Sequence, residues 1–294
     1  MKTETYAAID IGSNAIRLLI NDIDQNASTT EFKKTAFLRV PIRLGEDVFD
    51  EGKISEKKRQ RLEDALTGFI HIMRAYGVSK YRACATSAMR DASNGAEVVS
   101  KIKELCGIEI EIINGREEGD IIYEAGRLDQ MMDQERNYLY VDVGGGSTEI
   151  ILYSNHQKIM SESFQIGTVR MLADKVEKME KKRFKEWLKE VYKGYYPMSI
   201  IASGGNINKV HKLLGKRENE PIGYTELKIL YQTLKEMSYE ERILNYQLKY
   251  YRADVIVPAL KIFSTISKIC KIDRIYVPKV GLADGIIHHL YYEK

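Results

Sequence analysis

Three carboxylates stand beside glycine-rich turns in this chain, and that combination suits the handling of phosphate. Asp10 precedes Gly12, Ser13 and Asn14 in YAAIDIGSN (6–14), while Asp142 precedes Gly144, Gly145, Gly146, Ser147 and Thr148 in YVDVGGGST (140–148), with Glu149 next. Such turns can aim successive backbone N–H groups at phosphate oxygens, and glycine permits both unusual dihedrals and close approach. The plain alternative is a pair of tight hairpin turns that need glycine for geometry alone. Asp142 and Glu149 flank the second turn, so both carboxylates can approach it. They suit Mg²⁺, a hard cation that takes few carboxylates and keeps waters and phosphate oxygens. Asp10, at the equivalent place in the first copy, either orients a metal-bound water or caps its own turn.

The elements that carry these residues repeat. Each aspartate ends a β-type run, and each turn continues into another strand, IRLLINDI (16–23) or EIILYSN (149–155), rather than into the helix that a dinucleotide-binding or P-loop unit requires. A third strand follows in each copy, at 31–40 and 157–166. In the first half Ser55 caps a helix with the stripe Leu62, Leu66, Phe69, Ile70 and Met73, closed by Gly77. Then come a strand at 81–86, a helix near 95–105, a strand at 108–113 and a helix from Arg116 to about Met131. The second half predicts a basic helical stretch from about Thr168 to Lys193, a strand at 199–203, a helix after Gly205, further helices through 225–270, a strand at 273–278 and a closing helix in GLADGIIHHLYY. Two similar α/β halves imply duplicated domains, 1–116 with about 281–294 and 117–280, which face one another across an interdomain cleft. That layout resembles the actin and sugar-kinase superfamily, with its ribonuclease H-like units.

Cations offer further partners for phosphate. Arg90, in ATSAMRDA, follows a strand that should end at the cleft, where a guanidinium can clamp phosphate bidentately. Arg17 either reaches substrate or faces solvent, and Arg43 either reaches substrate or forms a loop ion pair. The run KVEKMEKKRFKEWLKE reads as a solvated helix face, with guidance of a polyanion as the alternative. His288 and His289 are adjacent on a helix, point in different directions, and read as surface or packing residues.

Six segments, IDIGSNAIRLLI, RLGEDVFDEGKIS, ATSAMRDASN, INGREEGDIIYEAG, VDVGGGSTEI and YRADVIVPAL, occur in an order and spacing that closely resembles the exopolyphosphatase and guanosine pentaphosphate phosphatase family. The resemblance covers nearly the whole chain and matches the short, two-domain form. It implies Mg²⁺-dependent hydrolytic release of terminal orthophosphate from inorganic polyphosphate. The alternatives it leaves are guanosine pentaphosphate 5′-phosphohydrolysis and a non-catalytic regulator that binds guanosine tetra- or pentaphosphate. A kinase or ATPase of the same fold is a further rival, for which no acceptor base or nucleoside pocket can be placed. The resemblance puts the water-activating base at Glu118. Helical spacing leaves Glu117 a secondary or structural role, since consecutive helical residues cannot share a face. The resemblance also implies a homodimer, and a third phosphate-region motif at Gly204, Gly205 and Asn206, where SGGN departs from the Gly-Thr of familiar members.

Bulk properties fit. With 294 residues, 44% hydrophobic and 30% charged, the chain reads as an ordinary globular protein of two domains. A net charge of +3 argues against a dedicated nucleic-acid binder. Cys84, Cys106 and Cys270 lack metal or disulfide spacing. No leader or membrane-spanning pattern is evident, so a cytoplasmic protein is expected.

Overall fold

The computed structural model describes residues 2–25, 30–125, 132 and 136–292. The chain divides into two compact units, residues 1–126 with 282–294, and residues 127–281.

In the first unit β1 (Lys2–Ile11), β2 (Ile16–Gln25) and β3 (Thr30–Val40) form an antiparallel meander. A short helix α1 (Leu44–Glu51) follows, then α2 (Glu56–Ala75). The Ser55 hydroxyl accepts from the Lys58 N–H at 3.3 Å to start α2, and Gly77, at φ 66°, lies just beyond its end. Leu62, Leu66, Phe69 and Met73 are buried, as the stripe predicted, while Ile70 is only half-buried. Strand β4 (Lys80–Ala85) pairs parallel with β1, and β5 (Ile110–Ile112) pairs parallel with β4, giving the order β3-β2-β1-β4-β5. Between them lie α3 (Ser87–Asp91) and α4 (Gly95–Cys106). Helix α5 (Gly115–Glu124) follows β5. Its cap is Asn114, whose Oδ1 accepts from the N–H groups of Arg116 and Glu117 at 3.0 and 2.9 Å. The part of the expected helix beyond residue 125 lies outside the described residues.

The second unit repeats the plan. Strands β6 (Asn137–Val143), β7 (Thr148–Ser154) and β8 (Gln157–Phe164) form the meander, and β9 (Met198–Ser203) pairs parallel with β6. The single expected helix over 168–193 is two, α6 (Thr168–Leu172) and α7 (Lys178–Tyr195). Asp174 breaks the run at φ 53°, a left-handed conformation that ends a helix. On α7, Phe184, Leu188 and Val191 are buried and the basic residues lie on the opposite, wet face. Then come α8 (Gly205–Leu213), an unforeseen edge strand β10 (Ile222–Gly223), α9 (Tyr224–Glu236), α10 (Tyr239–Tyr246), α11 (Tyr250–Ala253), α12 (Ile256–Ile269) and β11 (Arg274–Tyr276). The sheet order is β10-β11-β9-β6-β7-β8.

The last helix, α13 (Leu282–Tyr292), returns to the first unit and packs on α5, β1 and β4. A Cβ on Gly285 would lie 2.1 Å from the Ile121 carbonyl oxygen, so only glycine lets the two helices approach this closely. That packing places α5 in the first unit, whereas a division at 116/117 would separate it. No helix among the described residues is long and apolar enough to cross a membrane.

Candidate active site

In the first unit Asp10 sits directly across the ladder from Arg17. Opposed residues of an antiparallel pair project from the same face, and here the Arg17 guanidinium contacts the Asp10 carboxylate. Arg17 therefore does not simply face solvent; it neutralises a carboxylate that is 4% exposed. Parallel to Asp10 on β4 lies Cys84, whose thiol burial pushes up to about 12, so it remains protonated. The Gly12 N–H donates to the Ala15 carbonyl at 3.1 Å, closing the turn. Ser13 Oγ lies 2.9 Å from Ser87 Oγ at the start of α3. The Ser13 and Asn14 carbonyls accept from the Gly45 and Arg43 N–H groups at 2.8 and 3.1 Å, which ties the turn to the start of α1. Asn14 Oδ1 is buried with no hydrogen-bond partner among the described residues. Arg43 forms the loop ion pair, with Glu46 at 2.5 Å.

Arg90, on α3, donates from Nη1 to the Ile113 carbonyl at 2.9 Å, with Asp91 3.8 Å away. It thereby braces the residue ahead of the α5 cap. Glu118 lies in the first turn of α5, its N–H bonded to the Asn114 carbonyl at 2.9 Å, and is 8% exposed. Glu117 turns away, 3.5 Å from the Arg82 guanidinium, which is itself bound to Glu111. The two glutamates thus occupy different faces, as helical spacing requires.

In the second unit Asp142 sits directly opposite Glu149 on β6 and β7, so two carboxylates share one face beside the glycine turn. Glu149 is 2% exposed and accepts from Ser163 Oγ at 3.1 Å. The Gly144 N–H donates to the Ser147 carbonyl at 3.0 Å, the same closure as in the first hairpin. Neither Gly12 nor Gly144 has the left-handed backbone expected of these turns. They ease close approach, since a Cβ would meet Ala15 O at 3.3 Å or Ser147 O at 3.1 Å, tighter than ordinary contact. The unusual dihedral falls instead at Gly204, φ 109°, where an added Cβ would lie 3.1 Å from Asp142 Oδ1. The SGGN loop is therefore packed against Asp142 and the Val143 backbone. Ser203 turns inward to the Val280 carbonyl at 2.7 Å, and Asn206 is half-buried in the first turn of α8.

Among the described residues no three His, Cys, Asp or Glu side chains form a ready metal cage. Mg²⁺ does not need one, because one or two carboxylates with substrate oxygens and water suffice. The Asp142–Glu149 pair fits that requirement. Asp10 fits it poorly, since its carboxylate already faces a guanidinium.

Sequence reasoning missed three residues. The Arg170 Nε donates to the Gly146 carbonyl at 2.8 Å, Gly167 lies against Gly145 and Gly146, and the Arg252 guanidinium contacts the Gly205 carbonyl. Arg252 falls inside YRADVIVPAL, which was a signal; Arg170 lies in the stretch from about Thr168 to Lys193 read only as basic and helical. Near Arg252, burial, then Lys212 and Arg252, lower the Lys209 ammonium pKa.

The fold and site define an α/β protein of two actin-like units, each with a glycine-containing hairpin turn beside an aspartate. The chain matches the Ppx/GppA phosphatase family over residues 23–293 and belongs to it. It is 32% identical to exopolyphosphatase 2 of Mycobacterium tuberculosis over 58% of this chain and 54% of that protein. It is 24% identical to the guanosine-5′-triphosphate,3′-diphosphate pyrophosphatase of Vibrio parahaemolyticus over 97% of this chain and 59% of that protein. The chain thus spans about half the length of the curated relatives it matches. A crystal structure of the Aquifex aeolicus family member superposes with TM-score 0.78 at 27% identity, covering 99% of this chain and 98% of that one. An exopolyphosphatase from Cytophaga hutchinsonii shares the fold, with TM-score 0.85 at 22% identity and coverage of 98% and 97%.

Proposed function

We propose that this protein hydrolyses terminal phosphoanhydride bonds of inorganic polyphosphate, releasing orthophosphate. The observation that carries the reading is the Asp142–Glu149 pair, set face to face beside a glycine turn whose repeat copy carries no second acid. Hydrolysis of a phosphoanhydride requires a positioned water, a base, and positive charge around the transferred group. Glu118, fixed at the capped start of α5, takes the proton of the attacking water. The turn at 144–148 donates hydrogen bonds to non-bridging oxygens. Asp142 and Glu149 would hold Mg²⁺, which when bound offsets phosphate charge. Arg90 keeps α3 and the start of α5 in register and offers its remaining N–H groups to the substrate.

A second reading, 5′-phosphate removal from guanosine pentaphosphate, is favoured by one observation. The Vibrio parahaemolyticus relative, whose name carries a guanosine substrate, matches 97% of this chain. Both substrates present the same terminal phosphates. The experiment is orthophosphate release from long-chain polyphosphate and from guanosine pentaphosphate, each with Mg²⁺. Glu118→Gln should keep the wild-type melting temperature and slow release by about 10²- to 10⁴-fold, the range for losing a general base. Near-normal release by that variant removes Glu118 from the mechanism.

A further inference from the structure

The carbonyl groups of the glycine turn are all held from one side. Gly144 O accepts from the Thr168 N–H at 3.0 Å and from its hydroxyl at 3.3 Å. Gly145 O accepts from the N–H groups of Val169 and Arg170 at 2.8 and 3.1 Å. Gly146 O accepts from Arg170 Nε at 2.8 Å. Three consecutive carbonyls therefore point at the segment 167–170. A trans peptide unit is planar, with its C=O and N–H directed oppositely. The N–H groups of Gly145, Gly146 and Ser147 consequently point away from that segment, and among the described residues none accepts a hydrogen bond from them.

Two features make this arrangement a built one. A Cβ on Gly167 would lie 2.4 Å from backbone atoms of both Gly145 and Gly146, so the two backbones meet with no side chain between them. Arg170 is 9% exposed, so its guanidinium is committed to the interior and cannot itself be a surface contact for a polyanion. The backbone donors at the start of α6 are used up by the turn. Among the described residues only Gly146 O is held by a side chain alone, since Gly144 O has the Thr168 N–H as well as its hydroxyl, which makes Arg170 the one position where mutation can release a peptide unit without altering the backbone.

We infer that Arg170 is a positioning residue, which fixes the Gly146–Ser147 peptide with its N–H outward and so sets the hydrogen-bond donors that hold a phosphate group of the substrate. Gly167 serves the same end by permitting the close approach. The inference rests on the proposed reading that this turn binds phosphate.

The test labels glycine and serine with ¹⁵N and titrates the protein with tripolyphosphate, alongside steady-state phosphate release. In the wild type the Gly145, Gly146 and Ser147 amides should shift on titration. Arg170→Met keeps the aliphatic stem and removes the donor. It should raise KM about tenfold, the scale of one hydrogen bond to a charged group, while changing kcat far less. Its Ser147 shift should shrink. Arg170→Lys restores one donor and should fall between, with KM raised about threefold. Should the methionine variant not fold, the lysine variant carries the test. Unchanged KM and unchanged amide shifts in the folded variants overturn the role of Arg170. Wild-type amides that ignore tripolyphosphate while release proceeds overturn instead the reading that this turn binds phosphate.

Discussion

Asp10 and Asp142 hold equivalent places in the two hairpins, yet the residues facing them across the ladder carry opposite charge, Arg17 and Glu149. The repeat has therefore been specialised by one residue per copy. In the first unit the acid is neutralised, and a cation placed there would meet a guanidinium. In the second unit two carboxylates face one another, an arrangement that is costly unless a cation or proton offsets the repulsion. On the proposed reading, the metal-binding role would fall to the second copy. Glu149→Gln removes one charge while keeping size and hydrogen-bonding shape. It should raise the Mg²⁺ concentration for half-maximal phosphate release by at least about tenfold, the lower end of the effect of disturbing a metal site. An unchanged Mg²⁺ titration would put the metal elsewhere. Asp142 and Glu149 were legible because both are acids beside a glycine run. Arg170 was not, since its partner is a backbone carbonyl and leaves no complementary residue type in the sequence.

At the scale of elements the same turn-and-tie construction occurs twice. The chain leaving the third strand returns to the hairpin turn in both units, at Arg43–Gly45 in the first and Gly167–Arg170 in the second. These ties are made chiefly by backbone N–H groups, so the only sequence trace is one glycine in each, Gly45 and Gly167. That is why the strands and long helices could be read from periodicity while α1 and the break between α6 and α7 could not. Helix α1 spans only eight residues and starts after Arg43 with no side-chain cap. The placement of α5, by contrast, depends on a visible glycine. In Gly285→Ala the new methyl meets Ile121 backbone atoms at 2.1 and 2.7 Å, and one helix must move. Overpacking of this kind costs about 1–3 kcal/mol. A urea unfolding curve should show that loss, with slower phosphate release because Glu118 lies one turn from Ile121. Unaltered stability would mean that α13 slides freely on α5.

For the molecule as a whole, the duplicated sheets were readable because the two hairpins repeat in sequence. The division after α5 was not, because it depends on a pairing of α5 with α13 that is remote in sequence. This pairing makes the first unit discontinuous, and its stability must draw on residues beyond the second unit. Leu282 is 5% exposed and Ile286 and Ile287 are fully buried. Burying each such side chain is worth about 1.5–3 kcal/mol, and together they match a large share of the roughly 5–15 kcal/mol that holds a domain folded. The Lys34–Asp284 ion pair, 2.6 Å apart but partly exposed, adds little beside them. A chain ending at Gly281 should therefore lose amide protection along β1, β2 and β4 in hydrogen exchange. Strands β6, β7 and β9, whose contacts lie within residues 127–281, should keep theirs. Loss of protection in both sheets would mean that the units fold as one cooperative body; full protection in β1 would mean that the first unit does not depend on α13.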